Sequence, residues 1–200
     1  MRSPRYASNS KDSAPLIWRA VEVPTSLTLK TLHDVIQAAM GWFDCHLWAF
    51  DLDGQFYGPP DPNDWRDPPQ RDAARTRLRD LLRGKTGIEL IYEYDFGDGW
   101  RHRLVVSDVR QGNVAESYPR YIAGENAGPP EDCGGIPGFY HLLEARSDPG
   151  HPEHAEASEY LEDWDPEDVD EFPLRIALSR IASRRNAARK RLSKADQVNN

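Results

Sequence analysis

Cysteine is scarce: Cys45 and Cys133 are the only two in 200 residues, and no CxxC pair occurs. That argues against a disulfide framework and a paired-cysteine zinc module, and it suits reduced thiols. No run approaches the roughly 18 apolar residues of a membrane span. The opening "MRSPRYASNSKDSAP" lacks the apolar segment of a secretion signal. The expectation is a cytoplasmic protein with no membrane partner. Positive charge is also in deficit, with 25 basic against 33 acidic residues and a net charge of −8. Whole-surface attraction to nucleic acid is excluded, but a local basic patch is not. No repeat at a solenoid period is present.

The length suits one domain of ordinary size. Residues 1–14 are polar and patternless and read as a flexible arm. Residues 15–180 read as a single domain, and 181–200 as a basic helical extension and tail. "LIWRAVEV" (Leu16 to Val23) reads as a strand stopped by Pro24. Residues 28–40 follow as a helix, with Thr28 as cap, Leu29, Leu32 and Ile36 on one stripe, and Gly41 as stop. His33 reads as lying off that stripe and facing water. "HLWAFDL" alternates as a strand, and Asp53-Gly54 suits a type I′ turn. A loop with five prolines runs from Gly58 to Gln70, and "AARTRLRDLLR" (73–83) reads as a short helix. Asp165-Pro166 reads as the cap and first position of a C-terminal helix. Charge separates sharply there: residues 148–172 carry eleven acids and no Lys or Arg, whereas 173–194 carry eight basic residues and no acid.

Residues Ile88 to Val106 read as a hairpin. With Gly97, Asp98 and Gly99 as a three-residue loop, Ile88, Leu90, Tyr92, Tyr94 and Phe96 share a face with Trp100, His102, Leu104 and Val106. Asp95 then faces Arg101 and Glu93 faces Arg103, as cross-strand ion pairs. His102 lies on the aromatic face, and so does His46 in its own strand. The fold expected from these elements is α+β. It has a mostly antiparallel sheet from strands near 16–23, 46–52, 88–96 and 100–107, packed helices at 28–40 and 137–146, and a helical C-terminal elaboration.

Four segments, "PLIWRAVEVP", "LHDVIQAAMGWFDCHLWAF", "YEYDFGDGWRH" and "GPPEDCGGIPGFYHLLEA", resemble in this order the motifs of the plasmid pRiA4b ORF-3-like family. The tail "DPGHPEH" with "DWDPEDVD" resembles that family's ending. The resemblance implies a single α+β domain, carried by mobile elements and as transposon passenger genes, with no reaction attached. Its motif positions here are His46, Asp95, Asp98, Trp100, His102, Pro130, Glu131, Asp132, Gly134 and Gly135. Two features depart from it. Arg101 replaces a common acid, and the N-terminal arm lacks the alternating apolar strand that usually precedes "PLIWR". A resolvase-like label attached to some members finds no nucleophilic serine with an arginine cluster here.

Two functions compete. One is a binding or accessory module with a protein or nucleic-acid partner, resting on the basic C-terminal helix and its Arg184, Arg185 and Arg189. A solvated charged helix is the plainer reading of the same residues. The alternative is a metal-assisted hydrolase. "GPPEDCGG" fixes a short loop presenting Glu131, Asp132 and Cys133, and with His46 and His102 it offers oxygen, sulfur and imidazole donors for a divalent metal. Asp98, His102, Glu131 and Asp132 are its catalytic candidates. The competing reading makes Glu131 or Asp132 a cap for the helix near Pro137. His151 and His154 could ligate from one helical turn, or lie free on the surface.

Overall fold

A computed structural model describes the backbone of residues 2–10 and 16–198, and the side chains of 16–188, 190 and 191. The fold is α+β. Strands β1 (Arg2–Ser10), β2 (Trp18–Glu22), β3 (Trp48–Leu52), β4 (Gln55–Gly58), β5 (Arg71–Asp72), β6 (Ile88–Tyr94), β7 (Trp100–Gln111) and β8 (Arg120–Glu125) form a sheet in the order β5-β4-β3-β6-β7-β1-β2-β8. Every pairing is antiparallel except β4 with β5. The helices are α1 (Leu29–Met40), α2 (Leu78–Leu81), α3 (Gly135–Ser147), α4 (His154–Tyr160) and α5 (Glu171–Val198). No helix among the described residues is long and apolar enough to cross a membrane.

Several sequence expectations are met. Thr28 caps α1, its hydroxyl accepting from the Thr31 N–H, and Gly41 ends the helix at φ +81°. Asp53 and Gly54, both at positive φ, close the β3–β4 hairpin as a type I′ turn demands. Trp42, Trp48 and Trp100, which read from the sequence as core rather than ligand-stacking residues, are buried.

Others are corrected. Residues 2–10, expected as part of a flexible arm, form β1, whose backbone pairs with both β7 and β2. Two flanking ladders satisfy a polar segment that has no side-chain alternation to announce it. The register shifts at Pro4, which has no N–H to give to the ladder. The expected helix over 73–83 shrinks to α2. Helix α5 begins at Glu171 rather than Pro166; Asp165 instead closes a local turn by accepting the Glu167 N–H. The apolar stripe that helical spacing predicts for this helix is met: Leu174, Leu178 and Ile181 are buried, with Ala182, so one face of the basic helix packs against the core. Strand β8 carries no pattern that the sequence reading used.

The β6–β7 hairpin keeps its expected faces but slides by two residues. Tyr94 pairs with Trp100, Tyr92 with His102 and Glu93 with Arg101. The loop is Asp95 to Gly99, because Asp95 leaves the strand at φ +53° and its Oδ1 accepts the N–H groups of Gly97 and Asp98. Asp95 therefore does not face Arg101, Arg103 pairs with Glu89 instead of Glu93, and Phe96 leaves the core. An even-numbered slip preserves the faces, so alternation alone cannot detect it.

His33 is the other correction. It stands four residues after Leu29 and three before Ile36, hence on the buried side of α1, and it is fully buried. Its ring stacks on Trp48 at 4.0 Å. Nε2 lies 2.7 Å from Asp44, which can only accept, so Nε2 donates and Nδ1 accepts from the Tyr92 hydroxyl at 2.8 Å. Gln37 donates to the same hydroxyl at 3.0 Å.

Burial pushes His33 down to about 4, despite Asp44, and His102 down to about 4, with Arg19 adding to the effect. The unfolded chain would bind these protons near pH 6.5. Stability is therefore expected to fall as pH drops from 6.5 toward 4, with a slope approaching ~1.4 kcal/mol per pH unit for each imidazole. Urea unfolding between pH 7.5 and 5 checks this: the midpoint should fall, and fall less in His102→Gln. A flat midpoint would contradict it.

Candidate metal centre

Three segments distant in sequence meet at one end of the sheet. The first is the turn from α1 into β3. Its Asp44 takes a left-handed φ of +59°, and its Asp44 N–H is held by the Gln37 side chain. The Cys45 N–H donates to the Tyr94 hydroxyl at 3.0 Å, which brings His46 alongside the end of β6. The second is the hairpin loop. The Asp95 N–H donates to Leu47 O, extending the β3–β6 ladder by one bond and setting Asp95 beside His46. The third is the loop before α3. The Trp42 indole donates to Pro129 O at 2.9 Å, and Glu131 Oε1 accepts from the Tyr94 hydroxyl at 2.5 Å and the Phe43 N–H at 3.1 Å. The Tyr160 hydroxyl, at the end of α4, donates to Glu131 O.

His46, Asp95 and Asp132 converge. His46 Nε2 lies 3.1 Å from Asp132 Oδ1 and 3.7 Å from Asp95 Oδ2, and one donor atom from each residue falls within 4.8 Å of the others. Nε2 is buried, yet it is aligned for a hydrogen bond with neither carboxylate. The imidazole is edge-on to Tyr94, which fixes its plane. Asp95 and Asp132 both hold positive φ, at +53° and +58°. Aspartate tolerates this region better than most residues, but both depend on their surroundings to stay there. The Asp95 side chain is 13% exposed and that of Asp132 73%, so the cluster opens toward solvent on the Asp132 side.

The remaining candidates take other places. Asp98 is a latch: its Oδ2 accepts the Gly134 N–H at the start of α3, while its carbonyl lies against Gly135 so closely that a Cβ there would overlap it. Gly134 is itself the N-cap of α3, and the side chain that reaches this end is that of Asp98, not of Glu131 or Asp132. Glu131 is a junction between loops. Burial raises the Tyr94 hydroxyl pKa most, and the hydrogen bond to Glu131 raises it further. His102 is buried on the aromatic face against Trp42, and β6 separates its strand from β3, so the two histidines do not meet. Cys133 is buried, and burial together with Asp98 pushes its thiol up to about 12, a poor nucleophile. His151 and His154 bond separately, His151 Nδ1 accepting the Glu153 N–H and His154 Nδ1 donating to Ala145 O. Arg184 and Arg185 lie on α5 far along the chain from this cluster, and the Arg189 side chain lies outside the described residues. A second group, His33, Asp34 and Asp44, is closed by hydrogen bonds and by Lys30, which bridges both aspartates.

Asp95 is the residue that sequence reasoning placed wrongly. Its motif position was visible, but pairing it with Arg101 depended on a register that alternation left ambiguous.

Gly135→Ala is expected to separate the hairpin tip from the loop before α3. It forces a Cβ into Asp98 O and a side chain onto φ +66°, so it should cost about 1–3 kcal/mol. Chemical denaturation measures that loss; an unchanged stability would contradict the latch.

Comparison with known proteins places this geometry in a family. The pattern of the family described as "Plasmid pRiA4b ORF-3-like protein" matches residues 10–172. "Uncharacterized protein y4hQ" from Sinorhizobium fredii (strain NBRC 101917 / NGR234) is 36% identical over 180 residues, covering 88% of this chain and 91% of the relative. The crystal structure of the protein of unknown function MM3350 from Methanosarcina mazei Go1 superposes with a TM-score of 0.75 at 30% identity, covering 84% of this chain and 94% of that one. With most of its length matched and the motif residues gathered at one end of the sheet, the chain belongs to the plasmid pRiA4b ORF-3-like family.

Proposed function

We propose that His46, Asp95 and Asp132 hold one divalent cation and that the chain is a metal-assisted hydrolase. The observation that carries this reading is the buried His46 Nε2, set between two carboxylate oxygens at 3.1 and 3.7 Å without a hydrogen bond to either. An ion about 2.0–2.2 Å from each donor would use all three atoms at once. One imidazole and two carboxylates suit Zn²⁺ or Mn²⁺ better than softer ions.

With Asp95 largely buried and Asp132 exposed, an ion held there would be reached by water and substrate from the Asp132 side. A bound cation lowers the pKa of such a water toward neutrality and polarises the substrate oxygen. The chain's own residues supply the setting. Asp95, fixed through its other oxygen by the Gly97 and Asp98 N–H groups, presents one oxygen inward. Glu131 is committed to Tyr94 and Phe43, so it is assigned a positioning role rather than that of general base.

The rim indicates a substrate class. Phe43 and Leu47 are 81% and 67% exposed, and Phe96 and Tyr160 are also exposed. Each is tied to a cluster residue or to Glu131, Phe43 and Leu47 by their backbone, Phe96 through its neighbour Asp95 and Tyr160 by its hydroxyl. Exposed apolar side chains grouped around a polar centre mark a contact surface. The substrate therefore carries an apolar group beside the bond that is cleaved. The accessory-module reading draws on α5, which contributes nothing to this cluster.

Titration of chelator-treated protein with Mn²⁺ and Zn²⁺ tests the reading. One equivalent should bind, with affinity at least tenfold lower in His46→Ala and in Asp132→Asn, as loss of one ligand among few implies. Metal-loaded protein should hydrolyse p-nitrophenyl esters faster than the metal-free form. Absence of stoichiometric binding, or equal binding by both variants, contradicts the metal site; binding without turnover contradicts the hydrolase.

A further inference from the structure

We infer a second, independent site: the cleft between the start of α1 and α5 binds a small organic phosphate. The cleft encloses about 510 Å³, within the range of small-molecule sites. Three arginines line it, Arg77 from the segment before α2 and the adjacent Arg184 and Arg185 from α5. Arg77, just before α2, donates to Ser26 O at 2.9 Å, and Arg185 of α5 donates to the Ser26 hydroxyl at 2.8 Å. Two guanidinium groups are thus brought to one residue, and Arg184 lines the same space. Arg77 and Arg184 line the same space, and like charges so gathered repel unless an anion lies among them. The lining offers one carboxylate, Asp34, and Lys30 already pairs with it at 2.7 Å. Arg77 and Arg184 make no ion pair among the described residues. In a chain of net charge −8, this is a local concentration of positive charge.

The ligand class follows from what the cleft contains. Guanidinium groups match phosphate oxygens in geometry and in charge. Leu27, Ile181 and Ala188 supply an apolar wall, which a bare anion would not use. The helix N-terminus contributes little beyond its dipole, because protein acceptors already take its leading N–H groups: Leu29 donates to Thr76 O, Lys30 to Ala73 O and Thr31 to the Thr28 hydroxyl. Recognition therefore falls to the arginines. An organic phosphate monoester, up to the size of a nucleoside monophosphate, satisfies both the charge and the apolar wall. The metal centre lies beyond the other end of α1, a 12-residue helix about 18 Å long.

Calorimetric titration with phenyl phosphate and with adenosine 5′-monophosphate at low salt tests the proposal, with phenol and adenosine as uncharged controls. Binding of at least one phosphate is expected, weakened by salt and at least tenfold weaker in Arg184→Gln and in Arg77→Gln. Arg184 is exposed and makes no ion pair among the described residues, so its variant serves even if Arg77→Gln destabilises the chain; circular dichroism verifies both. His46→Ala should bind both phosphates as the wild type does, which separates this site from the metal centre. The proposal is overturned if neither phosphate binds at millimolar concentration, if the uncharged controls bind equally, if Arg184→Gln binds undiminished, or if only duplex DNA binds.

Discussion

Three segments of the chain meet at the carboxylate of Glu131. It receives the Tyr94 hydroxyl from β6 and the Phe43 N–H from the turn after α1, while its own backbone carbonyl receives the Tyr160 hydroxyl from α4. Hydrogen bonds to an ionised acceptor are stronger than neutral ones, and here they replace packing that short loops cannot provide. Without this junction the turn carrying His46 and the loop carrying Asp132 would have no common reference. The Asp98 latch to Gly134 adds the hairpin tip, and with it Asp95. The cluster is therefore a consequence of loop docking, and its donors are aligned only as well as those contacts hold.

Beneath the loops, the aromatic face of the hairpin gives them a rigid base. Tyr92, Tyr94, Trp100 and His102 are all buried, and α1 lies over them with His33 bonded to Tyr92 and stacked on Trp48. Arg19, also buried, reaches from β2 to Ala39 O at the end of α1 and to Glu125 O of β8, satisfying carbonyls that the helix end leaves open. Glu22 does the reverse, holding Arg110 of β7 and Arg120 of β8 around one buried carboxylate. A buried charge left unpaired would be costly, so these pairs specify the strand neighbours more than they add stability.

Much of this was legible in the sequence because it depends on local chemistry. Thr28 and Gly41 delimit α1, Asp53-Gly54 closes a hairpin, and alternation across Ile88 to Val106 gives the correct core face. What was not legible depends on pairing over distance. Strand β1 is specified by two neighbouring ladders rather than by its side chains. His33 has the helical spacing of a buried residue, but that its two nitrogens are satisfied there by Tyr92 and Asp44 could not be read from α1 alone. The two-residue slip of the hairpin is set by the Asp95 carboxylate capturing N–H groups, a choice to which a period-two pattern is blind. At the candidate site, His46 and Asp132 were recognisable as donors by residue type. Separating them from His102 and Cys133 required knowing which side of the sheet each occupies.

If loop docking builds the proposed three-donor cation site, anomalous diffraction from crystals grown with Mn²⁺ should show one strong peak within coordination distance of His46 Nε2, Asp95 Oδ2 and Asp132 Oδ1. A fully occupied peak elsewhere, or none at these atoms with the loops docked as described, would contradict it.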